Sequence, residues 1–217
     1  MQSVDPRHDL SKYVVTLVPP EISVGVPRTD PLDYVSAVIG TVVHGKTIRD
    51  AEIVSEFSFQ HLRVAWARHD GFALRKLFAT SPKYEVIFAH LFDPTTERLS
   101  SGTSDGGNRS DVLYLDEMTI LPEHRGRGLG GHVLESIAAE YFGMWAMMVL
   151  RAVPEPFESG PWSDRVYARQ FPASGDAAKK KLRVYWARFG FRPLGKTDFM
   201  ARDVSVLDAP PTSLRAV

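Results

Sequence analysis

The run MTILPEHRGRGLGGHVLE, from Met118 to Glu135, sets four glycines and two arginines between an apolar strand-like stretch and a helix-like one. Glycine removes the side chain, so successive backbone N–H groups at a helix start can face an anion. Arg125 and Arg127 can add charge-assisted bonds. The chemistry such a turn supports is capture of a phosphate group, and a plain surface loop is the alternative. Just upstream, Asp116 and Glu117 interrupt an apolar strand. A carboxylate in that setting is either paired or functional. Strand alternation sends the two to opposite faces, so at most one of them points into a cleft.

Three kinds of phosphate turn compete for this segment. Gly126, Gly128 and Gly131 satisfy G-x-G-x-x-G, the spacing of dinucleotide-binding units. Such units want a carboxylate at the end of the next strand to hold the ribose, and here that strand ends in Arg151-Ala152-Val153. A Walker loop fails because no lysine followed by serine or threonine closes the turn. The third pattern, [Q/R]-x-x-G-x-G, is met by RGRGLG from Arg125 to Gly130, preceded by Ile120 and Pro122. It resembles the acyl-CoA-binding signature of the GNAT superfamily of N-acyltransferases. The segment KLRVYWARFGF resembles that family's later motif, in which an aromatic pair precedes a Gly-Phe. The resemblance runs loosely from Asp111 to Phe191.

The resemblance implies an α+β fold: a mixed, mostly antiparallel central sheet with helices on both faces and a parallel, splayed strand pair at the acyl-CoA site. It implies that the coenzyme A pyrophosphate sits over Arg125, Gly126, Arg127, Gly128, Leu129 and Gly130, with Gly131 closing the turn. Met118, Thr119 and Ile120 then pair with the pantetheine amides as a strand would, and an N–H near Ile120 faces the thioester oxygen. Acetyl-CoA is the expected donor and no metal is expected. Direct transfer to a primary amine of a small molecule, peptide or protein needs a base and an acid. Glu117 is favoured over Asp116 as base. For the acid, the family's tyrosine position holds Trp186, and the asparagine often found seven residues before it is Lys179. Tyr185, adjacent, is the remaining tyrosine of this segment and is named as acid. His124 reads as a surface residue, and Lys179, Lys180 and Lys181 as a solvated face or neighbours of the 3′-phosphate. The aromatics Trp162, Tyr167 and Phe171 sit where acceptor specificity is set in a long loop. A module that binds acyl-CoA without turnover is the alternative function.

The elements that must position these residues are legible from periodicity. DVLYLDEMTIL reads as a buried strand, and Leu129, Val133, Leu134, Ile137 and Ala138 form one helical stripe that Gly143 can close. WAMMVLRAV follows as a second buried strand, giving a parallel crossover. Residues 176–189 form an amphipathic helix carrying Leu182, Tyr185, Trp186 and Phe189, and a terminal strand pair follows. Upstream, KYVVTLV, YVSAVIGTVV and AEIVSEFSFQHLRV read as strands. Ser81 and Pro82 then start a helix with Tyr84, Ile87, Phe88, Leu91 and Phe92 at helical spacing. This departs from the family's usual order of one strand and then two helices. The chain divides into an extended arm (1–31), one domain (32–206) and a tail (207–217).

Composition sets the outer bounds. With 26 basic and 26 acidic residues among 217, nothing supports a global grip on nucleic acid. The absence of cysteine excludes disulfides and thiolate chemistry and favours the cytoplasm. No apolar run approaches the ~20 residues that span a bilayer. No nucleic-acid or membrane partner is expected, and a homodimer is left open.

Overall fold

The computed structural model describes residues 10–18, 28–45, 51–100, 110–154 and 176–203. Most of the arm, the tail, and the loop aromatics Trp162, Tyr167 and Phe171 lie outside the described residues. Seven strands form one sheet in the order β1-β2-β3-β4-β5-β7-β6. They are β1 (Tyr13–Val18), β2 (Val35–His44), β3 (Glu52–Leu62), β4 (Asp111–Ile120), β5 (Trp145–Arg151), β6 (Arg192–Pro193) and β7 (Phe199–Asp203). Every pairing is antiparallel except β4 with β5. The fold is α+β with a mixed, mostly antiparallel sheet.

Alternation along the central strands feeds two cores. Leu113 and Leu115 of β4 and Met148 and Leu150 of β5 face one core. There they meet helix α4 (Leu129–Glu140) through Leu129, Val133, Leu134 and Ile137, and helix α5 (Asp176–Ala187) through Trp186. Val112, Tyr114, Met147 and Val149 face the other core. Helices α1 (Val64–His69), α2 (Leu74–Phe78) and α3 (Pro82–Leu91) cover that side.

One detail differs from the sequence reading, and one agrees with it. Ser81 does stand at the N-cap of α3 with Pro82 in the first turn, but its side chain makes no capping bond. The order of elements is the one read from the sequence: β1, β2 and β3 all precede the helices, and α1–α3 fall between β3 and β4. Asp111 at the head of β4 anchors that insertion. Its Oδ1 accepts the Ala65 N–H at 2.8 Å, and its Oδ2 lies 2.7 Å from His61 Nε2, with both side chains buried. Glu97 does the same for α2, accepting the N–H groups of Leu74 and Arg75 at 2.9 and 3.2 Å.

Where α4 meets α5, the packing leaves no room for a methyl group. A Cβ built on Gly131 would lie 2.1 Å from Cε1 of Phe189. Alanine there gains about 0.5–1 kcal/mol of helix preference, against about 1–3 kcal/mol for overpacking a close-packed interior. Overpacking wins, so Gly131→Ala is expected to lower stability by about 1 kcal/mol or more. Urea denaturation measures this, and an unchanged midpoint would show that the Phe189 ring moves aside freely.

Candidate acyl-CoA site

The site begins where β4 stops being an ordinary strand. Ser58 pairs with Glu117 and Phe59 with Leu115, so Asp116 is an extra residue in the ladder, a β-bulge. Pairing with β5 ends one residue earlier, at Leu115↔Leu150. From Asp116 to Ile120, β4 therefore keeps β3 as its partner among the described residues, and its other edge is splayed from β5. That edge is a row of backbone N–H and C=O groups of the kind an extended ligand can complete.

The bulge also overturns the expectation that Asp116 and Glu117 face opposite ways. Met118 and Ile120 pack against the same core as Leu113 and Leu115, so the inward parity shifts by one at Asp116. Glu117 thus shares the face of Tyr114, the side covered by α1–α3. Asp116 turns to that side as well. Its Oδ1 accepts from Lys83 Nζ of α3 at 2.8 Å and its Oδ2 from Gln60 Nε2 at 2.9 Å. Lys83 Nζ lies 4.8 Å from the Tyr114 ring centroid. Burial, reinforced by the charge of Asp116, pushes the nearby Tyr84 hydroxyl well above its ordinary range. Asp116 is the paired carboxylate of the two, and Glu117 is exposed.

After β4 the chain makes a short 3-10 turn, Pro122–His124, and then the glycine turn. Arg125 is tied back to the strand, its Nε donating to the Ile120 carbonyl at 2.8 Å. Gly126 and Gly128 have φ of 71° and 82°, the left-handed region that side chains other than Asn or Asp resist. No other group lies within 4 Å of a Cβ built on either, so the turn stays open on the outside. Gly128 is the N-cap of α4 and supplies no side-chain cap.

Gly130 and Gly131 are small for a different reason. Their N–H groups, in the first turn of α4, face the Tyr185 hydroxyl and act to lower its pKa. A Cβ on Gly130 would sit 2.6 Å from that oxygen, so α5 closes on α4 only because both residues lack side chains. Burial raises the Tyr185 phenol above its ordinary value despite those two donors, leaving it protonated at neutral pH. Trp186, beside it, is buried in the core against Phe191. Lys179 is held by Asp198 at 2.7 Å, while Lys180 and Lys181 are exposed.

His124 is buried, not a surface residue. Its Nδ1 lies 3.1 Å from the hydroxyl of Tyr13 on β1, and Arg127 Nη1 donates to the same hydroxyl at 3.2 Å. Tyr13, Gln60 and Lys83 are neighbours that the sequence does not announce, because pairing and packing bring them in from distant positions. Among the described residues no cluster of three or more metal-ligating side chains forms, and no helix is long and apolar enough to cross a membrane.

No protein-family model and no curated protein matches the chain. Among solved structures it is similar to a KacTA–DNA complex, at 10% identity and a TM-score of 0.40 over 89% of this chain and 96% of that one. It is similar to AtaTR bound with AcCoA, at 9% identity and a TM-score of 0.41 over 90% and 96%. It is also similar to Arabidopsis thaliana NAA60 in complex with a bisubstrate analogue, at 8% identity and a TM-score of 0.39 over 77% and 76%.

Proposed function

We propose that this chain is an acyl-CoA-dependent N-acyltransferase, with acetyl-CoA as donor and a primary amine as acceptor. One observation carries the reading: a strand that parts from its parallel neighbour at a bulge runs straight into the R-x-x-G-x-G turn at the start of a buried helix. Met118, Thr119 and Ile120 offer a free strand edge to the two pantetheine amides. Arg125, Gly126, Arg127, Gly128 and Leu129 take the pyrophosphate, with the α4 dipole adding about 0.3–2 kcal/mol. A strand N–H near Ile120 donates to the thioester oxygen. A donor so placed is worth about 2.7–4 kcal/mol once the oxygen becomes anionic. The amine approaches from the α1–α3 side. Glu117, exposed on that face, accepts its proton; Tyr185 is the donor to the departing thiolate, a role that requires the sulfur to reach the start of α4, where its hydroxyl lies against Gly130.

The engagement of the Tyr185 hydroxyl by α4 favours one second reading, a module that binds acyl-CoA without turnover. Free thiol release from acetyl-CoA, followed against a broad amine panel, separates the two. Acceptor-dependent release is expected. Tight binding with no acceptor-dependent release would leave the binding module.

A further inference from the structure

We infer that Tyr13, on the first strand, is a positioning residue for the coenzyme turn: it holds Arg127 through its hydroxyl while spending its own proton on His124. The inference rests on the placement of the pyrophosphate at that turn.

Three separate parts of the chain meet at this hydroxyl. Tyr13 opens β1, His124 ends the 3-10 turn after β4, and Arg127 sits between the two left-handed glycines. Among the described residues, nothing packs near the Cβ positions of Gly126 or Gly128. Arg127 Nη1 on the Tyr13 hydroxyl, at 3.2 Å, is a side-chain tether between those glycines and the sheet. A guanidinium only donates, so the Tyr13 oxygen accepts from Arg127. Its single proton is then directed to His124 Nδ1, 3.1 Å away, which must be the unprotonated nitrogen. The remaining donors of Arg127, which is itself only partly buried, are available to an anion.

The arrangement requires neutral His124, and its surroundings keep it so. Burial lowers its pKa first, and the charges of His44 on β2 and Arg127 act in the same direction, against Glu123 beside it and Glu52 on β3. The His44 ring packs 4.7 Å from Tyr13 and 5.1 Å from His124, centroid to centroid. Protonating His124 removes the acceptor for the Tyr13 proton and puts a second cation beside the oxygen that Arg127 uses. The tether then loosens as pH falls through the His124 pKa, and it is intact above that value.

Coenzyme A titrations on the full chain test this, comparing wild type, Tyr13→Phe and His124→Asn across pH. Phenylalanine keeps the buried ring, and asparagine keeps an acceptor at the Nδ1 position that cannot take up a proton. At about pH 7.5, Tyr13→Phe is expected to bind about tenfold more weakly, the size of one positioned charge-assisted hydrogen bond. The ratio between wild type and this variant is expected to shrink toward one as pH falls through the lowered His124 pKa, where the wild type releases the tether too. Using the ratio cancels titration of the coenzyme phosphates. His124→Asn is expected to keep near wild-type affinity at neutral pH and to exceed the wild type in acid. A ratio of one at neutral pH, or a ratio that does not change with pH, overturns the inference while leaving the site in place. A wild type that fails to bind coenzyme A overturns the reading of the turn itself.

Discussion

A Gly128→Asp chain is expected to bind coenzyme A at least about a hundredfold more weakly than Gly128→Asn, with both variants folded. The design follows from the backbone. At φ 82° a valine or alanine would be strained whatever the ligand does, and loss of binding would be confounded with loss of structure. Asparagine and aspartate tolerate that region, and they differ in shape by almost nothing and in charge by one. Gly128 is also the N-cap of α4, where an acidic side chain favours the helix. The aspartate variant is therefore expected to be no less stable than the asparagine one. Its carboxylate would stand where the pyrophosphate is proposed to lie. Two unit charges ~4 Å apart at an effective dielectric constant of ~20 repel by about 4 kcal/mol, and screening leaves enough for the stated ratio, since ~2.7 kcal/mol is a hundredfold. Titration calorimetry on both variants, with thermal melts as the fold control, decides it. Equal affinities would remove the pyrophosphate from this turn.

The parts of the site that were legible in the sequence are those set by local chemistry. Two buried strands and an apolar stripe from Leu129 to Ala138 place a glycine turn between β4 and α4, and periodicity alone shows this. What stayed hidden depends on partners far along the chain. The bulge at Asp116 exists only in the pairing of β4 with β3, and no pattern within DVLYLDEMTIL marks it. It reverses the facing of every later residue of the strand, which is why simple alternation misplaced Glu117 relative to Asp116. The glycines were read as one group serving one purpose. The structure divides them: Gly126 and Gly128 answer a backbone requirement, whereas Gly130 and Gly131 answer the rings of Tyr185 on α5 and Phe189 just after it, more than fifty residues away. Between a proline and an arginine His124 reads as solvated, and Tyr13 of β1 and His44 of β2 pack against it in the fold.

Tyr185→Phe is expected to lower kcat by at least about tenfold, a floor set below the about 10²–10⁴-fold that a positioned general acid typically contributes. The structure gives the phenol properties that suit the role. Burial keeps it protonated at neutral pH, so the proton is there to be given. The N–H groups of Gly130 and Gly131 face its oxygen and favour the tyrosinate. When the proton leaves for the thiolate, the same two donors, at the positive end of the α4 dipole, stabilise the tyrosinate that forms. Phenylalanine keeps the ring contacts with Trp186 and Phe189 and removes only this chemistry. It also uncovers two N–H groups beside the proposed phosphate turn, which an anion can take up. Affinity for acetyl-CoA is expected to change little as kcat falls, a split that a loosened helix interface would not produce. Steady-state kinetics with binding measured separately distinguishes the outcomes. Retained kcat would mean that the thiolate takes its proton elsewhere, and that the hydroxyl serves α4 as a cap alone.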